Sequence, residues 1–342
     1  MPYVTRRKTR GITAAAIVAA VMLIAACGKD DVGGGASSGG SAEGTKIAYL
    51  VPSLDITYWQ WVKYGVEQAA KDLNFKVNTY DATNSPAKQA ENTHTALTVG
   101  AKGIVLSPVS SSSAPTVLNP AQSRDVPVTF AAIGPDPSVT NYASLITSDD
   151  YTSGKEAGAF LAKEVKKRGG NEIGLLSLPL DRTNAKAKLK GLKESLDAAG
   201  VKLVQTLQTQ GLTVREAVSQ ANDLLTAHPN IKGIYGMYDN AGIGAVRVLK
   251  TRGLLGKIAV VSSDGSPETI ADIREGDIQG IVVQEAVGQG IEATKQLAAA
   301  LQDKPVDKSV PLPEPLVTKD NIDSDEIQKI LRLVYPPSAG AY

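Results

Sequence analysis

Nine short apolar runs, alternating with helical stretches, constrain this chain more than any single motif. The runs are KIAYLV (46–51), KVNTY (76–80), GIVLS (103–107), VPVTF (126–130), EIGLLS (172–177), KLVQTL (202–207), KGIYGM (232–237), KIAVVS (257–262) and IQGIVV (278–283). Between them, apolar positions recur at helical spacing. Ala185, Leu189, Leu192, Leu196 and Ala199 make one stripe, and Val214, Val218, Ala221 and Leu225 another. Strand, helix, strand with short connections means βαβ units and parallel sheets covered on both faces. Nine strands overfill one small domain, and the pattern restarts near Ile146–Tyr151. The expected fold is therefore α/β, with two doubly wound parallel-sheet lobes.

The first 26 residues stand apart from that pattern. Arg6, Arg7, Lys8 and Arg10 precede an apolar run from Ile12 to Ala26, too short and wrongly flanked for a spanning helix. The run closes as LIAAC, which resembles the bacterial lipoprotein cleavage motif. That resemblance implies cleavage before Cys27 and acylation, palmitate included, of its sulfur and new N-terminus. The alternative is an ordinary exported protein with a lone cysteine. TRRK at 5–8 resembles a twin-arginine signal only incompletely. Cys27 is the only cysteine, so no intrachain disulfide is available, and lipidation would account for a thiol outside the cytosol. Residues 28–45, rich in Gly, Ser and Ala, read as a flexible tether of roughly 20–25 Å. The leader holds four positive charges and no negative one, so a net charge of +1 for the whole becomes about −3 after its removal. Nothing in that balance favours a nucleic-acid partner.

The chemistry of most enzymes is missing. The body has two histidines, His94 and His228, and no cysteine. His94 shares a stripe with Ala90 and Leu97, which makes it a helix-face residue at a core edge. His228 stands before Pro229 at a helix end, where a cation meets the negative end of the dipole. Neither has a metal-binding partner at useful spacing. No GxSxG elbow and no P-loop occur, and GIG at 242–244 meets Arg247 where the dinucleotide fingerprint needs glycine. Asp323 and Glu326 read as a helix capping box rather than a calcium loop. No enzyme activity, cofactor or metal is expected.

In open α/β sheets ligands bind beyond the carboxyl ends of the strands. Those positions are polar or aromatic here: Asp55, Tyr58 and Trp59; Ser107 and serines 110–113; Asp181, Arg182 and Lys186; Tyr238, Asp239 and Asn240; Asp264; Gln284. Aromatic rings cover the C–H faces of a sugar, while Asp, Asn and Gln take its hydroxyls. Trp59 also lies three residues before Val62 and seven before Val66, the spacing of a core stripe, so packing competes with ligand contact. Trp61 reads as packing or exposed surface.

The stretches YWQWVKYGVEQAAKDL, DATNSPAKQAENTHTAL, GAKGIVLSPV, LLTAHPNIKGIYGMYDNAGIGAVRVLK and VVSSDGSP, in this order and spacing, resemble the ribose-type solute-binding proteins of bacterial ABC importers. The resemblance implies the type I periplasmic-binding fold, with a three-crossover hinge near 147–151, 283–286 and 311–316. It implies an N-terminal lobe of 46–148 plus 285–312 and a C-terminal lobe of 149–284 plus 313–342. It also implies hinge closure around a solute, a motion for which periplasmic binding proteins are a standard example, and delivery to a membrane permease. A monomer is expected. By the same resemblance the paired aromatics fall on Tyr58 and Trp59, the residue after the third strand on Ser107, and the second lobe's basic residue on Lys186. The ND pair falls on Tyr238 and Asp239, the DG aspartate on Asp264 and the late glutamine on Gln284. Arg182 is a candidate replacement for a lost arginine, because the Asp-Arg pair of the pentose binders is here AAIG, about Ala132–Ile133. Asp55 completes the candidate set. The ligand is then a sugar or polyol, the alternatives being a non-sugar polar metabolite or a sensory ligand reported to a membrane kinase or chemoreceptor.

Overall fold

The computed structural model describes residues 44–334. The leader, Cys27 and the tether up to residue 43 lie outside the described residues, as do 335–342.

The chain lays down β1 (Thr45–Val51), α1 (Thr57–Asp72), β2 (Phe75–Asp81), α2 (Pro86–Thr98), β3 (Gly103–Leu106), α3 (Pro115–Gln122), β4 (Val128–Ala131) and β5 (Ser144–Ser148). It continues with α4 (Asp150–Lys167), β6 (Glu172–Ser177), α5 (Thr183–Ala198), β7 (Lys202–Gln208), α6 (Val214–Ala227), β8 (Gly233–Gly236), α7 (Asp239–Thr251), β9 (Ala259–Ser263), α8 (Pro267–Glu275) and β10 (Gly280–Val282). Last come α9 (Ala286–Leu301), β11 (Ser309–Leu312), β12 (Leu316–Thr318) and α10 (Asp325–Val334).

Two six-stranded sheets result, ordered β11-β5-β4-β3-β1-β2 and β12-β10-β9-β8-β6-β7. Every pairing is parallel except β10 with β12. In both sheets the strand opening the lobe lies second from one edge, so the order reverses beside it, as at the switch point of doubly wound folds. The chain passes between the sheets three times: from β5 to α4, from β10 to α9, and from β11 to β12. Two doubly wound lobes are thus present. All nine expected strands form. β5, β11 and β12 were not anticipated: they are short, β11 contains Pro311, and β11 and β12 lie at sheet edges, where few residues carry a pattern.

The central strands are buried on both faces. Ile47, Tyr49 and Val51 of β1 point into one core, and Ala48 and Leu50 point into the other, against Leu97, Ile104, Leu118 and Phe130. Helix starts follow from local chemistry. Ser85 accepts from Lys88 N ahead of Pro86, and Thr213 forms a capping box with Glu216. The expected cap on Asp323 is not made. Ser324 Oγ accepts from Ile327 N, and Asp323 pairs with Arg274 at 2.9 Å. His94 is exposed on α2 rather than at a core edge, because the buried face of that helix runs through Gln89, Asn92, Thr93, Ala96 and Leu97.

Helices meet at paired glycines. A Cβ on Gly65 of α1 would lie 2.1 Å from Val287 O of α9, and one on Gly290 of α9 would lie 2.1 Å from Val62 O of α1. The second lobe repeats the arrangement, with Gly154 of α4 against Lys188 O (2.2 Å) and Gly191 of α5 against Tyr151 O (2.1 Å). These close approaches fix α1 on α9 and α4 on α5, and so place the loops that precede α1 and α5.

Candidate ligand-binding cleft

Between the carboxyl ends of the two sheets lies a small cavity lined by residues of both lobes. Of the ten sequence candidates, Tyr58, Trp59, Arg182, Tyr238, Asp239, Asp264 and Gln284 line it. Both lobes contribute. Tyr58 and Trp59 open α1, Arg182 precedes α5, Tyr238 and Asp239 open α7, Asp264 follows β9, and Gln284 lies on the second crossing.

A chain of hydrogen bonds joins the hinge to both lobes. Tyr58 Oη donates to Gln289 Oε1 at 2.5 Å and lies 3.2 Å from Gln284 Oε1. Gln289 Nε2 donates to Ser148 Oγ at 2.9 Å, and Ser148 Oγ in turn donates to Gln284 Oε1 at 3.2 Å. Gln284 Nε2 donates to Asp264 Oδ1 at 2.5 Å. Asp264 holds a left-handed backbone (φ 74°), as does lining residue Leu212 (φ 53°). Such backbones cost about 1–3 kcal/mol and gather at functional sites. Burial pushes the Asp264 carboxyl up to about 7; the Asp239 carboxylate adds to the push and Lys188 opposes it. Burial likewise raises Asp239 to about 6, against the hydrogen bond it accepts from Asn240 N.

Tyr238 replaces an expected asparagine with a ring. Its hydroxyl lies 2.6 Å from Thr209 Oγ1, so the phenol oxygen is engaged outside the cavity and the ring forms wall. Trp59 is 3% exposed; it belongs to the core stripe of α1 and also lines the cavity, edge-on to Tyr58 at 4.9 Å. Trp61 is half-buried against the core and does not line the cavity.

Three candidates lie elsewhere. Asp55 is exposed outside the cavity lining. Ser107 is buried behind it, donating to Ala131 O at 2.9 Å and 3.3 Å from Tyr49 Oη, so it ties β3 to β4. Lys186 is exposed one turn further along α5 than Arg182, in a surface groove with Leu180, Leu189 and Lys190. Arg182 takes the inward place.

The sequence reading missed Ile56, Leu178, Asn184 and Leu212, all of which line the cavity, and placed at Ile133 only the loss of a charged pair. It also missed Lys188. This lysine is 1% exposed and pairs with Glu314 of the third crossing and, at 3.5 Å, with Asp150 beside the first. Ser153 Oγ donates to the other Glu314 oxygen at 2.7 Å. Burial alone would lower the Lys188 ammonium; Glu314, with Tyr235, Asp150 and Asp264, outweighs burial and raises it. Burial pushes the Asp150 carboxyl up to about 8 despite Lys188. The signal was present: Lys188 lies three after Ala185 and four before Leu192, on the buried stripe.

The lobes touch at the rim. Thr183 N donates to Ser111 Oγ at 2.9 Å, and Arg182 Nε donates to Val109 O at 3.1 Å. The cleft is closed in this conformation. Outside it, the carboxylates of Asp272, Glu275 and Asp277 crowd together, and Lys250 Nζ sits 2.5 Å from Asp277 Oδ2 and 3.8 Å from Asp272 Oδ1.

A family model described as the periplasmic binding protein domain matches residues 47–305. The chain belongs to the periplasmic binding protein family. Within that family, the ribose import binding protein of Haemophilus influenzae is 28% identical over 183 residues, 52% of this chain and 60% of that protein. The ribose import binding protein of Bacillus subtilis is 25% identical over 284 residues, covering 82% of this chain and 89% of its own. A carbohydrate-transporter solute-binding protein from Agrobacterium radiobacter, solved in complex with D-arabinose, shares the fold with a TM-score of 0.78 at 23% identity. It covers 84% of this chain and 98% of that one. The ribose-type resemblance and the type I periplasmic-binding fold both hold.

Proposed function

We propose that this chain is the extracytoplasmic solute receptor of an ABC importer, binding a sugar or polyol between its lobes and presenting the closed form to a membrane permease. The observation that carries the reading is the Tyr58–Gln284–Asp264 linkage. One lobe's aromatic, a hinge glutamine and the other lobe's carboxylate meet on the wall of one cavity. The ligand-bearing relatives support a carbohydrate.

The residues divide the work. Trp59 and the Tyr238 ring offer apolar faces, while Asp264, Gln284 and Asp239 offer acceptors and donors for hydroxyls. Gln284 and Ser148 sit on two of the three crossings, so rotation of the lobes about the hinge remakes their bonds. Closure is then coupled to whatever engages Asp264. The LIAAC ending supports cleavage before Cys27 and lipid anchoring of a monomer to the cell membrane through the tether. No bond is made or broken in this role.

A thermal-shift screen of monosaccharides, polyols and amino acids tests the reading. A ligand selective for the native state raises the melting temperature by mass action. A shift with at least one carbohydrate is expected; shifts with amino acids alone would refute the sugar reading.

A further inference from the structure

Arg182 is a buried cation with no anion. Its side chain is 3% exposed and lines the cavity. Nε is taken by Val109 O, while Nη1 and Nη2 make no hydrogen bond to any described residue. Among the described residues no carboxylate lies within ion-pair distance of it; its chain neighbour Asp181 is exposed and acts on it only from afar. Burying an unpaired charge is costly, so such groups are found paired or are lost.

The surroundings sharpen this. Arg182 immediately precedes the first turn of α5, a helix of 16 residues whose positive end faces the same space. The backbone N–H groups of Asn184 and Ala185 make no hydrogen bond to a described residue. Of the lining carboxyls, Asp264 accepts from Gln284 Nε2 and Asp239 from Asn240 N. Both carboxyls are raised by burial and can take a proton near neutrality. Arg182, though lowered to about 10 by burial, cannot shed its charge there. The fixed, uncompensated charge in the closed cleft is positive.

We propose that the solute carries a carboxylate, received in a fork by Arg182 and the start of α5, on a hydroxylated body read by Asp264 and Gln284. The favoured class is a sugar acid, aldonic or uronic. This rests on the cleft's being the carbohydrate site argued above.

Isothermal titration of the full chain with a panel of neutral aldoses, their matching uronic and aldonic acids, and the short hydroxy acid glycerate tests it at neutral pH. An acid is expected to bind about 10- to 100-fold more tightly than its neutral aldose, the range of one charge-assisted pair. Arg182→Gln should bring that ratio near one, and Arg182→Lys should restore part of it. The wild-type ratio needs no variant and decides even if Arg182→Gln does not fold. Neutral aldoses binding as well as the acids overturn the inference and leave the carbohydrate reading intact. Binding of glycerate alone, lost in Arg182→Gln, supports the carboxylate and refutes the sugar. Absence of binding by every acid overturns the inference.

Discussion

Gln284 Nε2 holds Asp264 Oδ1 at 2.5 Å, so the carboxylate closing one lobe's sheet is positioned by a residue of the hinge. The same glutamine accepts from Ser148 on the first crossing and lies 3.2 Å from Tyr58 Oη. Gln284→Ala should therefore act twice. It takes the donor from Asp264 Oδ1 and the acceptor from the Ser148 hydroxyl, costing about 1–3 kcal/mol of stability in the ligand-free protein, and it should remove the ligand-induced thermal shift. Denaturant unfolding and the thermal-shift assay check the two effects separately. An unchanged ligand shift would show that the linkage does not report on the cleft.

Trp59 is core and wall together. Trp59→Ala should cost about 3–5 kcal/mol, as for other buried aromatics, and should abolish binding. Trp59→Phe keeps much of the packing and should fold near wild-type stability while binding more weakly. Far-UV circular dichroism with titration distinguishes them; wild-type affinity in the phenylalanine variant would reduce Trp59 to packing alone.

The Lys188–Glu314 pair joins α5 to the third crossing away from solvent. Lys188→Met strands a buried carboxylate and should cost about 3–5 kcal/mol. Lys188→Met combined with Glu314→Leu removes both charges and should recover much of that loss. Equal instability of the single and double variants would refute a charge-based explanation.

Asp264 and Asp239 give a pH dependence with a definite sign. An unfolded aspartate titrates near 3.9, whereas burial raises Asp264 to about 7 and Asp239 to about 6. Between these limits the native state binds more protons than the unfolded chain. The contribution of both groups to stability therefore falls as pH rises from about 4 to about 7 and is level above. Asp264→Asn keeps an acceptor for Gln284 and cannot ionise. Its stability relative to wild type should rise across that window by on the order of 1–4 kcal/mol, measured by urea unfolding at several pH values. A constant difference would contradict the raised carboxyl.

How much of this was legible in the sequence follows from how far each signal acts. Nine strands and the stripe of α5 were readable because period and burial are local. β11, a four-residue edge strand containing Pro311, and β12, of three residues, carry too little pattern to read. In the site, Asp264 and Gln284 were readable because they end strands. Arg182 and Lys186 lie one helical turn apart, and only the path of the preceding loop decides that the first turns inward. Lys188 was hidden by its type: a lysine on an apolar stripe reads as solvated until a distant glutamate is known to meet it.

Gly290→Ala should be poorly tolerated, since its Cβ would meet the backbone at Val62 O. A loss of at least about 1–3 kcal/mol is expected. Gly288→Ala on the same helix meets first the flexible end of Glu285, at 2.9 Å, and should be milder. Thermal denaturation of the pair checks the contrast.

That glycine contact also sets an order of events. α1, which presents Tyr58 and Trp59, packs on α9, and α9 is made only after the second lobe's β6 to β10 have been synthesised. The second lobe has its α4–α5 contact early and can complete most of its core first. The first lobe, though it leads the chain, must finish late, since its closing contact spans more than two hundred residues and loop closure must precede the gain. The aromatic half of the cleft is thus among the last parts of the molecule to take shape.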